Sequence, residues 1–122
     1  MIHMLLERLR SIDFGSLSED DIDEILDSRD EGEFDEQWCR VYEETARLKN
    51  ESNYTAENRR EHDSICKEAF MAVGSGISSE LSDYVADDFG LIYDSIILGY
   101  NDDWLSALIE EYSSGRLPSG KK

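Results

Sequence analysis

The chain has 122 residues, 39% of them hydrophobic, and sets 29 acidic side chains against 12 basic ones, a formal net charge of −17. That size suits one domain with its own core, and the charge disfavours direct binding to nucleic-acid phosphates or anionic lipid surfaces. No segment approaches the roughly 20 apolar residues that span a bilayer, and Glu7, Arg8 and Arg10 follow Met1 too closely for a secretory signal, so a cytoplasmic protein is expected.

Residues 2–12 place Leu5, Leu6, Leu9 and Ile12 on one face, which predicts a short amphipathic helix ended by Phe14 and Gly15. Ser18 then reads as an N-cap, with Asp21 where a capping box would prefer Glu. The second helix, 19–29, turns Ile22, Ile25 and Leu26 inward and an acidic face outward, and Gly32 interrupts the pattern. A third helix over 33–50 carries Phe34, Trp38, Val41, Tyr42, Thr45 and Leu48 at helical spacing. Thr55 caps a fourth, with Tyr54 as an N-terminal staple. Its apolar positions run on to about residue 86, but Gly74-Ser75-Gly76 predicts a kink or break. Asp87 is read as the cap of a fifth helix containing Phe89, Ile92, Tyr93, Ile96 and Ile97, with Gly99 as its stop. Asn101 or Asp102 opens a sixth through Trp104, Leu105, Leu108, Ile109 and Tyr112, ended by Gly115. The expectation is an all-α, single-domain bundle of five to seven helices over residues 1–118, with 119–122 as a disordered tail.

Little in the chain promises catalysis. His3 and His62 are the two histidines. The His62-Asp63 dipeptide occurs in metal-dependent phosphohydrolases, which need further histidines that this chain lacks, so His62 is read as a surface residue. The run Glu19-Asp20-Asp21-Ile22-Asp23-Glu24 lacks the central Gly and terminal Glu of an EF-hand loop, and the loop from Asp27 to Glu33 has Gly32 at the sixth position but Arg29 where the second ligand should be. Cys39 and Cys66 are read as reduced thiols, and Cys66 with His62 lacks a third group to orient the pair. No cofactor, metal site or enzymatic activity is expected.

The charge itself is the candidate device. Residues 13–36 hold twelve acids and one base, Arg29, and residues 68–115 hold ten acids and no Lys or Arg. A magnitude of about 2 to 8 suits a small domain, and a larger excess destabilises the compact state by self-repulsion. A cationic partner would account for it. Two patches are candidates for contacting that partner. One is Asp20, Asp23, Glu24, Asp27, Asp30 and Glu31 on the second helix and its following loop. The other surrounds the last two helices, with Asp83, Asp87, Asp88, Asp94, Asp102 and Asp103, and with Tyr93 and Tyr100 either as aromatic anchors or as core tyrosines with a hydroxyl at the edge.

The C-terminal third adds a resemblance. Asp87-Asp88-Phe89-Gly90-Leu91-Ile92, Leu98-Gly99-Tyr100-Asn101-Asp102-Asp103-Trp104-Leu105 and Tyr112-Ser113-Ser114-Gly115-Arg116-Leu117-Pro118 resemble the ending of small helical immunity proteins of bacterial contact-dependent inhibition systems. The resemblance implies a cytoplasmic protein that binds and neutralises the C-terminal toxin domain of a large delivered effector, often an RNase; with the acidic surface, the expected partner is a basic toxin domain bound one-to-one. It does not assign contact residues. The alternatives are a DNA mimic that inhibits DNA-binding proteins, and a general helical interaction module.

Overall fold

In the computed structural model, which describes residues 1–30, 32–74 and 78–119, the helical periodicity resolves into six α-helices. They are α1 (Ile2–Arg10), α2 (Glu19–Asp30), α3 (Gly32–Glu51), α4 (Ala56–Val73), α5 (Ser79–Leu98) and α6 (Asp103–Ser113), with a 3₁₀ turn at Phe14–Ser16. No strand occurs among the described residues. The fold is an all-α bundle around one apolar core, as the periodicity predicts.

Local chemistry sets most of the boundaries. Ser18 and Asp21 exchange backbone-to-side-chain hydrogen bonds, each 3.1 Å long, at the start of α2, so Asp serves in place of Glu in this capping box. Thr55 and Asn58 do the same for α4. Asp102 caps α6 by accepting from the Leu105 amide at 3.0 Å. Gly99 ends α5 in the left-handed region at φ 68°, where a residue with a Cβ would be strained.

One boundary corrects the sequence reading. Asp87 does not cap a helix. It lies inside α5, which runs unbroken from its N-cap Ser78, whose hydroxyl accepts from the Leu81 amide at 3.2 Å. The two acids before an apolar run look like a helix start, yet both lie mid-helix, with Asp88 held there by Arg29, Trp38 and Tyr112. The expected interruption does occur: α4 ends at Val73 and Gly74 stands at φ 86°. Ser75 and Gly76 of the Gly74-Ser75-Gly76 stretch lie outside the described residues, as do residues 120–122 of the expected tail.

The core is centred on α5. It packs against α1, α2, α3 and most extensively α4, and every residue from Asp88 to Ser95 is buried. Leu81, Val85, Phe89 and Ile92 meet Leu5, Leu6 and Leu9 of α1, Val41 of α3, Ile65 and Ala69 of α4, and Leu105, Leu108 and Tyr112 of α6 in one cluster. Burying a Leu, Ile or Phe side chain contributes about 1.5–3 kcal/mol. An acidic helix can therefore occupy the centre, provided its buried carboxylates find partners.

Candidate interaction surface

Helix α2 shows its carboxylates to solvent in a continuous band. Ile22 and Leu26 are buried at i and i+4, and Arg29 follows them onto the same face at i+7. That phase leaves Asp20, Asp23, Glu24, Asp27 and Asp30 exposed. Glu31, expected to extend the band, lies outside the described residues. The neighbouring first turns of α3 add exposed Glu33, Asp35 and Glu36.

The second expected patch divides. Asp87 and Asp103 are exposed. Asp102 is half-buried and already engaged, accepting from Arg40 at 2.9 and 3.1 Å besides capping α6. The hydrogen bond from Arg40, then the amide of Leu105, hold its carboxyl below the usual range. Tyr100 is half-buried beside Ile96, Gly99 and Ile109, and Tyr93 is buried, with its hydroxyl donating to Glu61 at 2.9 Å.

Asp88 and Asp94 are corrections, because neither is on the surface. Asp88 is fully buried. It accepts from Arg29 Nη2 at 2.6 Å, Trp38 Nε1 at 2.9 Å and the Tyr112 hydroxyl at 2.5 Å, so one carboxylate ties α2, α3 and α6 to α5. Burial disfavours the charged form of Arg29, but Asp88 overrides it and raises the guanidinium pKa. Burial and then the Asp88 charge push the Tyr112 phenol well above its ordinary value.

Asp94 does the same toward the other end of α5. It pairs with Lys49 Nζ at 2.5 Å, the Tyr54 hydroxyl at 2.5 Å and His62 Nδ1 at 3.1 Å. Burial opposes its ionisation, but these three donors prevail and its pKa is lowered. His62 responds in the opposite sense. Hydrogen bonds to Asp94 and then to Cys66 raise its pKa to about 10. His62 is thus a half-buried cation and not the surface histidine expected, and the Cys66–His62 pair does have an orienting carboxylate. An imidazolium has no lone pair to take a thiol proton, and Asp94 is shared with Lys49 and Tyr54, so the cluster reads as a cross-brace between helices. Gly90 makes room for it. A Cβ there would lie 2.8 Å from Cys66 Sγ and 2.8 Å from His62 Cε1.

Three surface acids, Asp30, Asp35 and Asp87, come together where α2, α3 and α5 meet. A cleft of about 200 Å³ opens there. Phe34, Trp38 and Tyr84 form its half-buried aromatic walls, and exposed Asp30, Asp35 and Asp87 line its mouth. Arg29 lies beneath, its guanidinium carbon 4.6 Å from the centre of the Phe34 ring and 5.2 Å from that of Tyr84. Asp30 accepts from the Tyr84 hydroxyl, which raises the phenol pKa to about 12. Desolvation in the wall, then the charges of Asp88 and Asp83, raise the pKa of Asp87. No described residue hydrogen-bonds or ion-pairs with the Asp87 carboxylate. The two patches read separately from the sequence therefore meet, Asp30 from the first and Asp87 from the second. Arg29, Phe34, Asp35, Trp38 and Tyr84 were missed as lining. The one legible signal was Arg29, the single base in an acidic run, placed in phase with Ile22 and Leu26.

Among the described residues there is no cluster of His, Cys, Asp and Glu arranged to hold a metal ion, and no helix long and apolar enough to cross a membrane. No curated protein and no solved structure matches the chain. Residues 2–119 match the family described as Immunity protein PIM1. That match runs from α1 through the segment after α6, well beyond the C-terminal third that carried the resemblance. The chain belongs to the Immunity protein PIM1 family, and its role is immunity toward a cognate toxin.

Proposed function

We propose that this immunity protein neutralises a cationic nuclease toxin, an RNase in the favoured case, by binding it one-to-one in the cytoplasm and covering its substrate cleft. The observation that carries this is the exposed carboxylate band of α2, continued by Asp35 and Asp87 across the cleft. A nuclease needs a basic surface to hold phosphates. An inhibitor that presents carboxylates to that surface is steered to it, with association reaching about 10⁸–10⁹ M⁻¹s⁻¹ at low salt. The protein then acts by occupancy, without turnover. Asp20, Asp23, Glu24, Asp27 and Asp30 serve the encounter, with Asp87 and Asp103 on the flanks. Asp88, Asp94 and Asp102 support them from within the fold.

The test is association kinetics with the toxin domain that co-purifies with the tagged chain. Asp20→Lys, Asp23→Lys and Asp27→Lys together should slow association by about tenfold or more at low salt and flatten its salt dependence. An unchanged on-rate defeats charge steering by α2. Competition between the protein and an RNA or DNA substrate supports cleft occlusion, and inhibition without competition overturns it. Binding that spreads to unrelated DNA-binding proteins would instead favour DNA mimicry.

A further inference from the structure

We propose that the cleft between α2, α3 and α5 receives one arginine side chain of the toxin and is the anchor of the complex. The inference rests on the cationic-partner reading above and adds to it a place, a residue type and a kinetic role.

The size of the cleft limits its occupant. Sites for drug-sized ligands occupy about 300–1,000 Å³, and this cleft holds about 200 Å³. It suits a single long side chain and is too small for a helix or a nucleotide. Charge comes next. Arg29 is neutralised by Asp88 at 2.6 Å, so it does not oppose an incoming cation at full strength. Asp30, Asp35 and Asp87 remain at the mouth. Asp30 already accepts from Tyr84, and Asp35 has only a 3.9 Å contact from the Cys39 thiol. Asp87 has no hydrogen-bonding or ion-pairing partner among the described residues. Arg29 at the floor is committed to Asp88, and neither Asp35 nor Asp87 has an ion-pair partner among the described residues.

The walls select which cation. Trp38 stacks on Tyr42 with ring centres 5.5 Å apart, and its indole N–H is fixed on Asp88. Phe34 is held edge-on by Trp104 at 5.3 Å. These rings are positioned before any partner arrives, so little ordering remains to be done on binding. A guanidinium lies flat on aromatic faces and pairs with carboxylates through two parallel hydrogen bonds, which an ammonium cannot do. Arg29 shows the same walls accepting a guanidinium from beneath. Arginine in a desolvated aromatic pocket is also a common hot spot of protein interfaces. The α2 band lacks such walls, so it steers, whereas the cleft retains.

The experiment compares two variants with equal charge change on the full chain, using the toxin domain that co-purifies with it. Asp35→Asn/Asp87→Asn removes two charges from the cleft mouth. Asp23→Asn/Asp27→Asn removes two from the α2 band. All four side chains are exposed, and an unchanged near-ultraviolet dichroism shows that the packing of the aromatic side chains is kept. The cleft variant should accelerate dissociation about tenfold, and the α2 variant should slow association while leaving dissociation within about twofold. Alanine scanning of the toxin's arginines should find one whose effect on dissociation disappears in the cleft variant. If the two variants behave alike, the cleft is not an anchor, and the steering reading still stands. If no toxin arginine couples to the cleft, or the coupled residue is a lysine, the proposal is overturned. If neither variant nor the α2 triple reversal changes any rate, the cationic-partner reading fails as well.

Discussion

Helices α2 and α5 are both acid-rich, and they use their acids in opposite ways. On α2 the apolar stripe of Ile22 and Leu26 turns inward and the carboxylates stay in water, where each costs little and together they create a field. On α5 the residues from Asp88 to Ser95 are buried, so Asp88 and Asp94 must be paired or become strongly destabilising. Their cations come from other helices: Arg29 from α2, Lys49 from α3 and His62 from α4. The lesson is that a carboxylate's job follows from its phase on the helix. The net charge of this chain overstates its outward field at α5 and understates how much of its architecture is ionic.

The comparison breaks first if Asp88 is dispensable. Asp88→Asn leaves the Arg29 charge buried without its counter-ion, and removing one partner of a buried pair typically costs about 3–5 kcal/mol. Urea denaturation should show that loss as a lower midpoint at unchanged slope. A loss below about 1 kcal/mol would mean that Arg29 reaches water readily, and the buried-brace description of α5 would have to be abandoned.

Gly90 tests the other brace. In a helix interior, Gly→Ala ordinarily gains about 1 kcal/mol. Here the added methyl meets Cys66 Sγ and His62 Cε1, each at 2.8 Å. Gly90→Ala should instead destabilise by about 1–3 kcal/mol through overpacking. Cys66→Ala in the same chain should recover part of that loss by vacating one of the two contacts. A stabilised Gly90→Ala variant would show that α4 and α5 have slack at this point.

The Asp94 cluster makes the contrast visible as pH dependence. Its His62 keeps its proton to about pH 10 in the folded state, whereas an ordinary imidazole loses it near 6.5. The stability His62 contributes is therefore whole below about pH 6.5 and is lost as pH rises toward 10. Asp94, held below its ordinary 3.8, contributes stability that is present above that value and disappears as pH falls through its lowered pKa. His62→Ala should cost about 1.5–3 kcal/mol near neutrality, the worth of a hydrogen bond to a charged group. It should also flatten the alkaline limb of a plot of Tm against pH. An unchanged alkaline limb would place the imidazole proton elsewhere.

These braces explain what could be read from the chain alone and what could not. Ser18 with Asp21, Thr55 with Asn58, Asp102 with Leu105 and Gly99 are local devices, and their spacing announces them. The inward phase of Ile22 and Leu26 likewise placed the α2 acids outside. Asp88 and Asp94 were misplaced on the surface because their burial depends on partners far along the chain, Arg29 at a separation of 59 residues and His62 at 32. Nothing in the local pattern around Asp87-Asp88 distinguishes a helix start from the middle of a central helix. The cleft was hidden for the same reason. It assembles Asp30, Asp35 and Asp87 from three helices, and only the tertiary fold brings them to one opening.

The smallest expected effect sharpens the comparison from the side of α2. Asp20 and Glu24, and likewise Asp23 and Asp27, stand four residues apart, and each such like-charge pair destabilises a helix by about 0.2–0.5 kcal/mol. Asp23→Asn/Asp27→Asn removes part of that repulsion and touches neither the capping box nor the core. It should leave stability unchanged or raise it by a few tenths of a kcal/mol, read as a slightly higher urea midpoint, with the gain shrinking as salt screens the charges. Asp20 is left in place because an acid in the first turn favours the helix dipole. A sizeable loss would show that these carboxylates have structural partners after all, and α2 would then resemble α5. A gain would show that the fold keeps them at a small cost to its own stability, which is what a surface retained for a partner requires.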